Sequence, residues 1–193
     1  MDSVVNLGIP HIGEQIFEHM KTADLIKYLS VSKAWKILAE NVLFQRWNGK
    51  LLEACQDGKA EIVKILLDHP SSANIDINAR LSVDGKNAFM LACQKGCNDI
   101  VKSFLDHSSI IETIDINAKD RLGETAFMSA CVYGHIDVVK VLLGHEISQR
   151  IDFNIQDNFG ETAISLAKVM RRNDIIELIS QNMYYKLQNL EIK

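Results

Sequence analysis

The chain has few prolines, no dominant charge and no long apolar stretch, and each shortage narrows what it can be. Two prolines and ten glycines in 193 residues are too few for a loop-rich scaffold. No apolar run approaches the roughly 18 residues that a membrane-spanning helix requires. Basic residues are not in excess: 21 Lys and Arg face 25 Asp and Glu, a formal net charge of −4. The first 50 residues hold six basic and five acidic side chains, and the remainder holds 15 and 20. Neither segment has the positive field that nucleic-acid or anionic-membrane binding requires, so neither partner is expected. The opening Met-Asp-Ser-Val-Val has no basic flank, and the final Leu-Glu-Ile-Lys has no prenylation cysteine. A secretory leader and a lipid anchor are therefore not expected, and the cytoplasm, with the nucleus as a second compartment, is the expected location. Also missing are G-x-G-x-x-G, a P-loop, G-x-S-x-G and H-E-x-x-H, so no enzyme activity and no cofactor are expected. Acidic pairs such as Asp115 and Asp120 recur with turns, and turn geometry explains them better than acid–base chemistry does.

What is present is an internal repeat. Ala54-Cys55 recurs as Ala92-Cys93 and Ala130-Cys131, with Ala167-Lys168 as a weaker fourth copy, at steps of 38, 38 and 37 residues. Four residues after each Ala stands Gly58, Gly96 or Gly134, replaced by Arg171 in the last copy. Apolar doublets four apart follow, from Ile62-Val63 to Leu66-Leu67, Ile100-Val101 to Phe104-Leu105, and Val138-Val139 to Leu142-Leu143. That spacing puts one apolar stripe on one face of a helix, and the glycine suits the left-handed residue that ends the helix before it. Each unit therefore reads as two short antiparallel helices. Between units, Ile75-Asp76-Ile77-Asn78, Ile114-Asp115-Ile116-Asn117 and Ile151-Asp152-Phe153-Asn154 alternate apolar and polar, the period of extended chain. Each runs into Gly85, Gly123 or Gly160, and then a residue such as Thr125 or Thr162 that can cap the next helix.

The run from Asp120-Arg121-Leu122-Gly123-Glu124-Thr125-Ala126 through Gly134-His135 to Leu142-Leu143 resembles an ankyrin repeat, and the resemblance covers about residues 50–182. Three departures are visible. The units are longer than the usual 33 residues, with the excess after the second helix at 69–74, 107–113 and 145–150. Ala88, Ala126 and Ala163 stand in place of the family's proline, and Met90, Met128 and Ser165 in place of its histidine. The resemblance implies an all-α fold, helix pairs joined by hairpin-like fingers, and a client protein bound across the concave face. The outward positions there would be Arg80, Val83, Lys86, Gln94 and Lys95, then Lys119, Arg121, Leu122, Glu124, Val132 and Tyr133, and finally Asn158, Phe159 and Glu161. Tyr133, aromatic and central, is the expected anchor.

Residues 1–50 do not share the repeat. Pro10 suits a first helical position and Thr22 and Ser30 suit N-caps, so three short helices are expected, with Ile12, Ile16 and Met20 on one face of the first. Ile9-Pro10, Ile16-Phe17, Asp24-Leu25, Val31-Ser32-Lys33-x-Trp35, Leu38-Ala39 and Leu43-Phe44 with Trp47 resemble an F-box over about residues 7–47. That resemblance implies docking of a Skp-type adaptor through Ile9, Pro10, Ile12, Ile16, Phe17 and Trp35. A cullin-RING ubiquitin ligase would follow, with this chain as its non-catalytic substrate receptor. The alternative is an ankyrin interaction scaffold whose first helices only cap the stack. The expected divisions are a helical module at 1–48, repeats at 49–182 and a tail at 183–193. No Gly/Ser- or Pro-rich linker separates the first two, so they should pack rigidly.

Cys55, Cys93 and Cys131 share one repeat position and are expected to be small buried thiols. Stacked helices roughly 8–10 Å apart hold them beyond disulfide reach. Cys93 and Cys97 form a lone C-x₃-C with no second pair, so no metal site is expected. His69, His107 and His145 also recur, and are expected beside the carbonyls at helix C-termini.

Overall fold

A computed structural model describes residues 33–68, 75–80 and 82–191, with side chains at 45–68, 75–80, 82–184 and 186. Nine α-helices are described: α1 Lys33–Gln56, α2 Ala60–Asp68, α3 Ala88–Lys95, α4 Asn98–Asp106, α5 Ser108–Thr113, α6 Ala126–Tyr133, α7 Ile136–Gly144, α8 Ala163–Val169 and α9 Asn173–Glu191. A 3₁₀ helix, Glu146–Arg150, follows α7. Among the described residues there is no strand, so the all-α class holds.

Inner helices α1, α3, α6 and α8 stack in that order, and outer helices α2, α4, α7 and α9 lie against them. The doublets read from the sequence make the core: Ile100, Val101, Phe104 and Leu105 are buried, as are Val138, Val139 and Leu142. Phe89 packs tilted on Phe104, joining an inner helix to its outer partner. The central inner helices α3 and α6 are nearly all-round apolar because each is covered on both sides by neighbours. Phe127, Met128, Ser129, Ala130 and Cys131 are all buried in α6.

Both ends of the inner helices are closed by local chemistry. Side chains of Asn87, Thr125 and Thr162 accept the N–H of Met90, Met128 and Ser165. The residues standing where the family has histidine therefore still contribute to a cap. Ser165 Oγ and Met128 Sδ return the favour by accepting the N–H of Thr162 and Thr125. At the other end Gly96 turns left-handed at φ 70°, and its N–H and that of Cys97 return to Cys93 and Ala92.

The extra residues at 69–74 lie outside the described residues, and those at 107–113 and 145–150 form structure of their own. They fold into α5 and the 3₁₀ helix, which bury Ile110, Ile147 and Ser148 against the outer layer. His107 and His145 stand at the C-termini of α4 and α7 as expected, the His145 N–H returning to the Val141 carbonyl. Each also opens the segment that follows: His145 Nδ1 accepts the N–H of Ile147 at 3.2 Å, and His107 Nδ1 lies 3.1 Å from Ser109 Oγ. His69 lies outside the described residues. One expectation needs correction: the alternating Ile-Asp-Ile-Asn segments are turns, with Ala79 N–H bonded to Asp76 and Ala118 N–H to Asp115. Each Asp accepts the N–H two residues on, a local bond that outcompetes extended chain. Alternation survives in burial alone: Ile77, Ile116 and Ile151 point inward.

An asparagine ladder ties these turns together. Asn48 accepts the N–H of Asp76, Asn78 that of Asp115, and Asn117 that of Asp152, each at about 3 Å. Asn48 lies in α1, so the ladder starts inside the first helix. That helix runs unbroken across residues 48 and 49, and α9 likewise runs through residue 183. Both expected divisions, after residues 48 and 182, fall within helices.

Candidate binding face

Fingers project between the outer helix of one repeat and the inner helix of the next, and their shape is set by one acidic side chain. Asp120 Oδ1 accepts the N–H groups of Leu122 and Glu124, both at 2.9 Å, and Asp157 does the same for Phe159 and Glu161 at 2.8 Å. Gly123 and Gly160 complete the turns. Adjacent fingers are joined backbone to backbone: Arg121 N–H donates to Asp84, and Asn158 N–H to Leu122, each at 3.0 Å. A Cβ on Gly123 would lie 2.7 Å from the Asn158 nitrogen, so the close approach of fingers requires glycine there.

Of the expected client-facing residues, Arg80, Val83, Lys95, Lys119, Arg121, Leu122, Tyr133, Asn158 and Phe159 are exposed. Gln94, Glu124, Val132 and Glu161 are half-buried. Several also bind the neighbouring repeat. Arg80 donates to the Lys119 carbonyl, Lys119 to that of Gln156 at 2.7 Å, and Asn158 Nδ2 to that of Arg121 at 2.9 Å. Gln94 Nε2 donates to Tyr133 Oη at 3.1 Å. The Tyr133 ring lies nearly parallel to the His135 ring with centroids 6.2 Å apart, so the anchor position is braced yet half open.

Lys86 is a correction. It does not face outward: it is buried, and its ammonium pairs with the Asp120 carboxylate of the next finger, with Glu124 3.9 Å away. Its position after the turn glycine matches those of Glu124 and Glu161, but a buried acid across the finger draws it inward. Neighbouring Asp84 is exposed. Burial alone raises its carboxyl, but bonds from the Ser82 side chain and the Lys86 N–H outweigh that and hold it below its ordinary value.

Three exposed residues on this face follow from the repeat but were not among the expected ones. Val169 and Met170 occupy the positions of Val132 and Tyr133, and Lys168 that of Cys131. The weaker copy Ala167-Lys168 was the signal that could have found them. Ile9, Pro10, Ile12, Ile16 and Phe17, together with Pro10, Thr22 and Ser30 as helix signals, lie outside the described residues. Trp35 falls in α1, but its side chain is outside them too.

Burial pushes the Cys131 thiol up to about 12 and drives Cys55 and Cys93 well above the ordinary thiol range. Cys97, half-buried, is also raised by burial, with Lys95 opposing. Among the described residues no group of three His, Cys, Asp or Glu side chains is placed to hold a metal, and no helix is long and apolar enough to cross a membrane.

The sequence matches the family model of ankyrin repeats in three overlapping copies, at residues 21–120, 51–157 and 109–189. No curated protein sequence matches the chain significantly. Among solved structures, a chain in the crystal structure of the yeast ribosomal protein Rps3 in complex with its chaperone Yar1 is similar, with a TM-score of 0.60 and 20% identity. That similarity covers 69% of this chain and 90% of the other, and it concerns the fold. None of these findings supports the F-box resemblance of residues 7–47.

Proposed function

The chain belongs to the ankyrin-repeat family, and from that premise we propose that it is a non-catalytic scaffold that holds a client protein against its fingers and inner helices. One observation carries the reading: large apolar side chains stand open at the finger tips and helix ends of an otherwise well-packed stack. Phe159 is 78% exposed, Val169 70% and Tyr133 50%. The scaffold does not need them there, since at least one other repeat carries a polar residue at each position: Asp84 for Phe159, Gln94 for Val169 and Lys95 for Tyr133. Exposed apolar groups held on a rigid frame act as anchors for a partner. The test is retention of proteins from a cell lysate by the full chain and by Tyr133→Ala/Phe159→Ala. The double variant should lose its retained proteins while its melting temperature stays within a few degrees. Full retention would remove this face from the function.

The finer reading, a substrate receptor of a Skp-adaptor ubiquitin ligase, is supported by the sequence pattern of residues 7–47. The unbroken α1 is compatible with it, since a rigid junction would fix a client relative to a docked adaptor. Ile9→Ala/Pro10→Ala should abolish capture of a purified Skp-type adaptor without changing helical content. No capture by the unaltered chain would leave the first helices as a cap.

A further inference from the structure

The anchors are not spread evenly along the stack. At the two positions that close each inner helix, the first repeat carries Gln56 and Asp57, the second Gln94 and Lys95, the third Val132 and Tyr133, and the fourth Val169 and Met170. Finger tips carry one apolar residue each, Val83 beside Asp84, Leu122 beside Arg121 and Phe159 beside Asn158, and Val83 is as open as Phe159. The turn from polar to apolar toward the C-terminal repeats lies in the helix ends.

Charge follows the same direction. Lys95, Arg121, Lys168 and Arg171 are exposed around this apolar half, and none has an ionic partner among the described residues. Of the nearby acids, Glu124 accepts from Ser129 Oγ at 3.3 Å and faces buried Lys86, so it is already engaged. Asp137 lies 4.0 Å from Lys140 on an outer helix. That leaves half-buried Glu161, Asp174 at the start of α9, exposed Asp84 on the finger before Arg121, and Asp157, whose carboxylate is taken up by its own finger. The local balance is basic on a chain whose formal charge is −4.

Two of these cations lie in and just after the last turn of α8, where a helix C-terminus favours positive charge, at positions that the other repeats give to uncharged residues. Lys168 takes the place of the buried Cys55, Cys93 and Cys131. Arg171 takes the place of Gly58, Gly96 and Gly134 and keeps their left-handed backbone at φ 55°, where a side chain is strained. Local strain at a charged, exposed position is a mark of a functional residue.

We infer that the C-terminal half of this face binds an acidic peptide segment with large apolar anchors. The anchors lie on the strip from Tyr133 to Met170, and the carboxylates lie toward Arg121, Lys168 and Arg171. This inference rests on the proposed binding face and adds the chemistry of the partner. Desolvated apolar anchors supply most of the affinity, whereas charge complementarity supplies steering and selection. A nucleic acid would satisfy the cations and could stack on Tyr133 and Phe159, but Leu122, Val169 and Met170 between them are aliphatic and offer bases no platform, which favours a peptide.

The experiment is selection of random 16-residue peptides displayed on phage against the immobilised full chain. Anisotropy measurements follow on the enriched sequences as labelled peptides. Enriched peptides should carry Asp or Glu beside Leu, Ile or Phe. Their affinity should fall about tenfold for Arg121→Glu/Lys168→Glu with melting unchanged, and should weaken with added salt. Enrichment of neutral or basic peptides, or none, overturns the inference. So does tighter binding of a 20-nucleotide single-stranded RNA, or self-association of the chain through this face. Tyr133→Ala/Phe159→Ala separates the two levels. If neutral peptides bind and that variant loses them, the face stands and the acidic partner falls. If acidic peptides bind regardless of it, the face itself is wrong.

Discussion

Lys86 and Asp120 form an ion pair between adjacent fingers from which water is excluded, the lysine side chain being 5% exposed and the carboxylate 0%. Asp120 also holds its own finger through two backbone N–H groups, so one carboxylate sets both the shape of a turn and its attachment to the previous turn. Lys86→Met removes the cation and leaves the anion buried. Breaking one side of such a pair costs about 3–5 kcal/mol, and urea unfolding should show a loss of that order. A change below about 1 kcal/mol would mean that water reaches the pair.

Most of the scaffold was legible in the sequence because its signals are local and repeated. Doublets four apart, the Ala-Cys pair and the glycine after it each report a helix face or a helix end, and three copies average out accident. Burial of Lys86 was not legible. Its partner lies 34 residues on, and only the packing of two fingers brings them together. The Ile-Asp-Ile-Asn turns misled for a related reason. Alternation reports which side chains are buried, and a turn stapled by its own Asp produces the same alternation as a strand. The binding face was partly legible: Tyr133, Leu122 and Phe159 were found by position, whereas Val169 and Met170 were missed because their repeat had lost its cysteine and glycine.

Arg171 makes that loss testable. A non-glycine residue in the left-handed region carries strain of about 1–2 kcal/mol, and glycine gives the unfolded chain extra entropy that costs folding about 0.5–1 kcal/mol. Arg171→Gly should therefore stabilise the chain by about 0.5–1 kcal/mol in urea unfolding. The same substitution should weaken acidic peptides, so stability and binding should move in opposite directions.

The buried thiols give a pH dependence with a definite sign. Burial raises the Cys131 thiol to about 12 from an ordinary 9.0, so the folded thiol stays protonated after the unfolded one has ionised. Its contribution to stability is full below about 9 and is lost as the pH rises toward 12. Comparing urea unfolding of the chain and Cys131→Ala from pH 7.5 to 10.5 isolates this group from the lysines. The difference between the two should shrink with rising pH, and a constant difference would contradict the burial.

His135 shows what Cys97 does not do. The two occupy one repeat position at the start of an outer helix. The His135 ring lies against Gly96, within 2.4 Å of where a Cβ would stand, and its Nε2–H donates to the Gln94 carbonyl at 2.8 Å. That carbonyl is one of the last in its helix, which the intrahelical ladder leaves unsatisfied. Arg172 has the same role in the following repeat, reaching the carbonyls of Val132 and Tyr133. At Cys97 the side chain is too short to bridge, and its sulfur rests 3.3 Å from the Cβ position of Gly58. Cys97→His should place an imidazole N–H on the Gln56 carbonyl and tie the second repeat to the first. A net gain of about 0.5–1.5 kcal/mol is expected for one such bond, read as a higher urea midpoint. His135→Cys should lose a similar amount, and the two together should nearly cancel, since the sites lie in different repeats. If Cys97→His leaves the midpoint unchanged while His135→Cys lowers it, then the ring at 135 is held by its stacking on Tyr133 and not by the carbonyl it reaches.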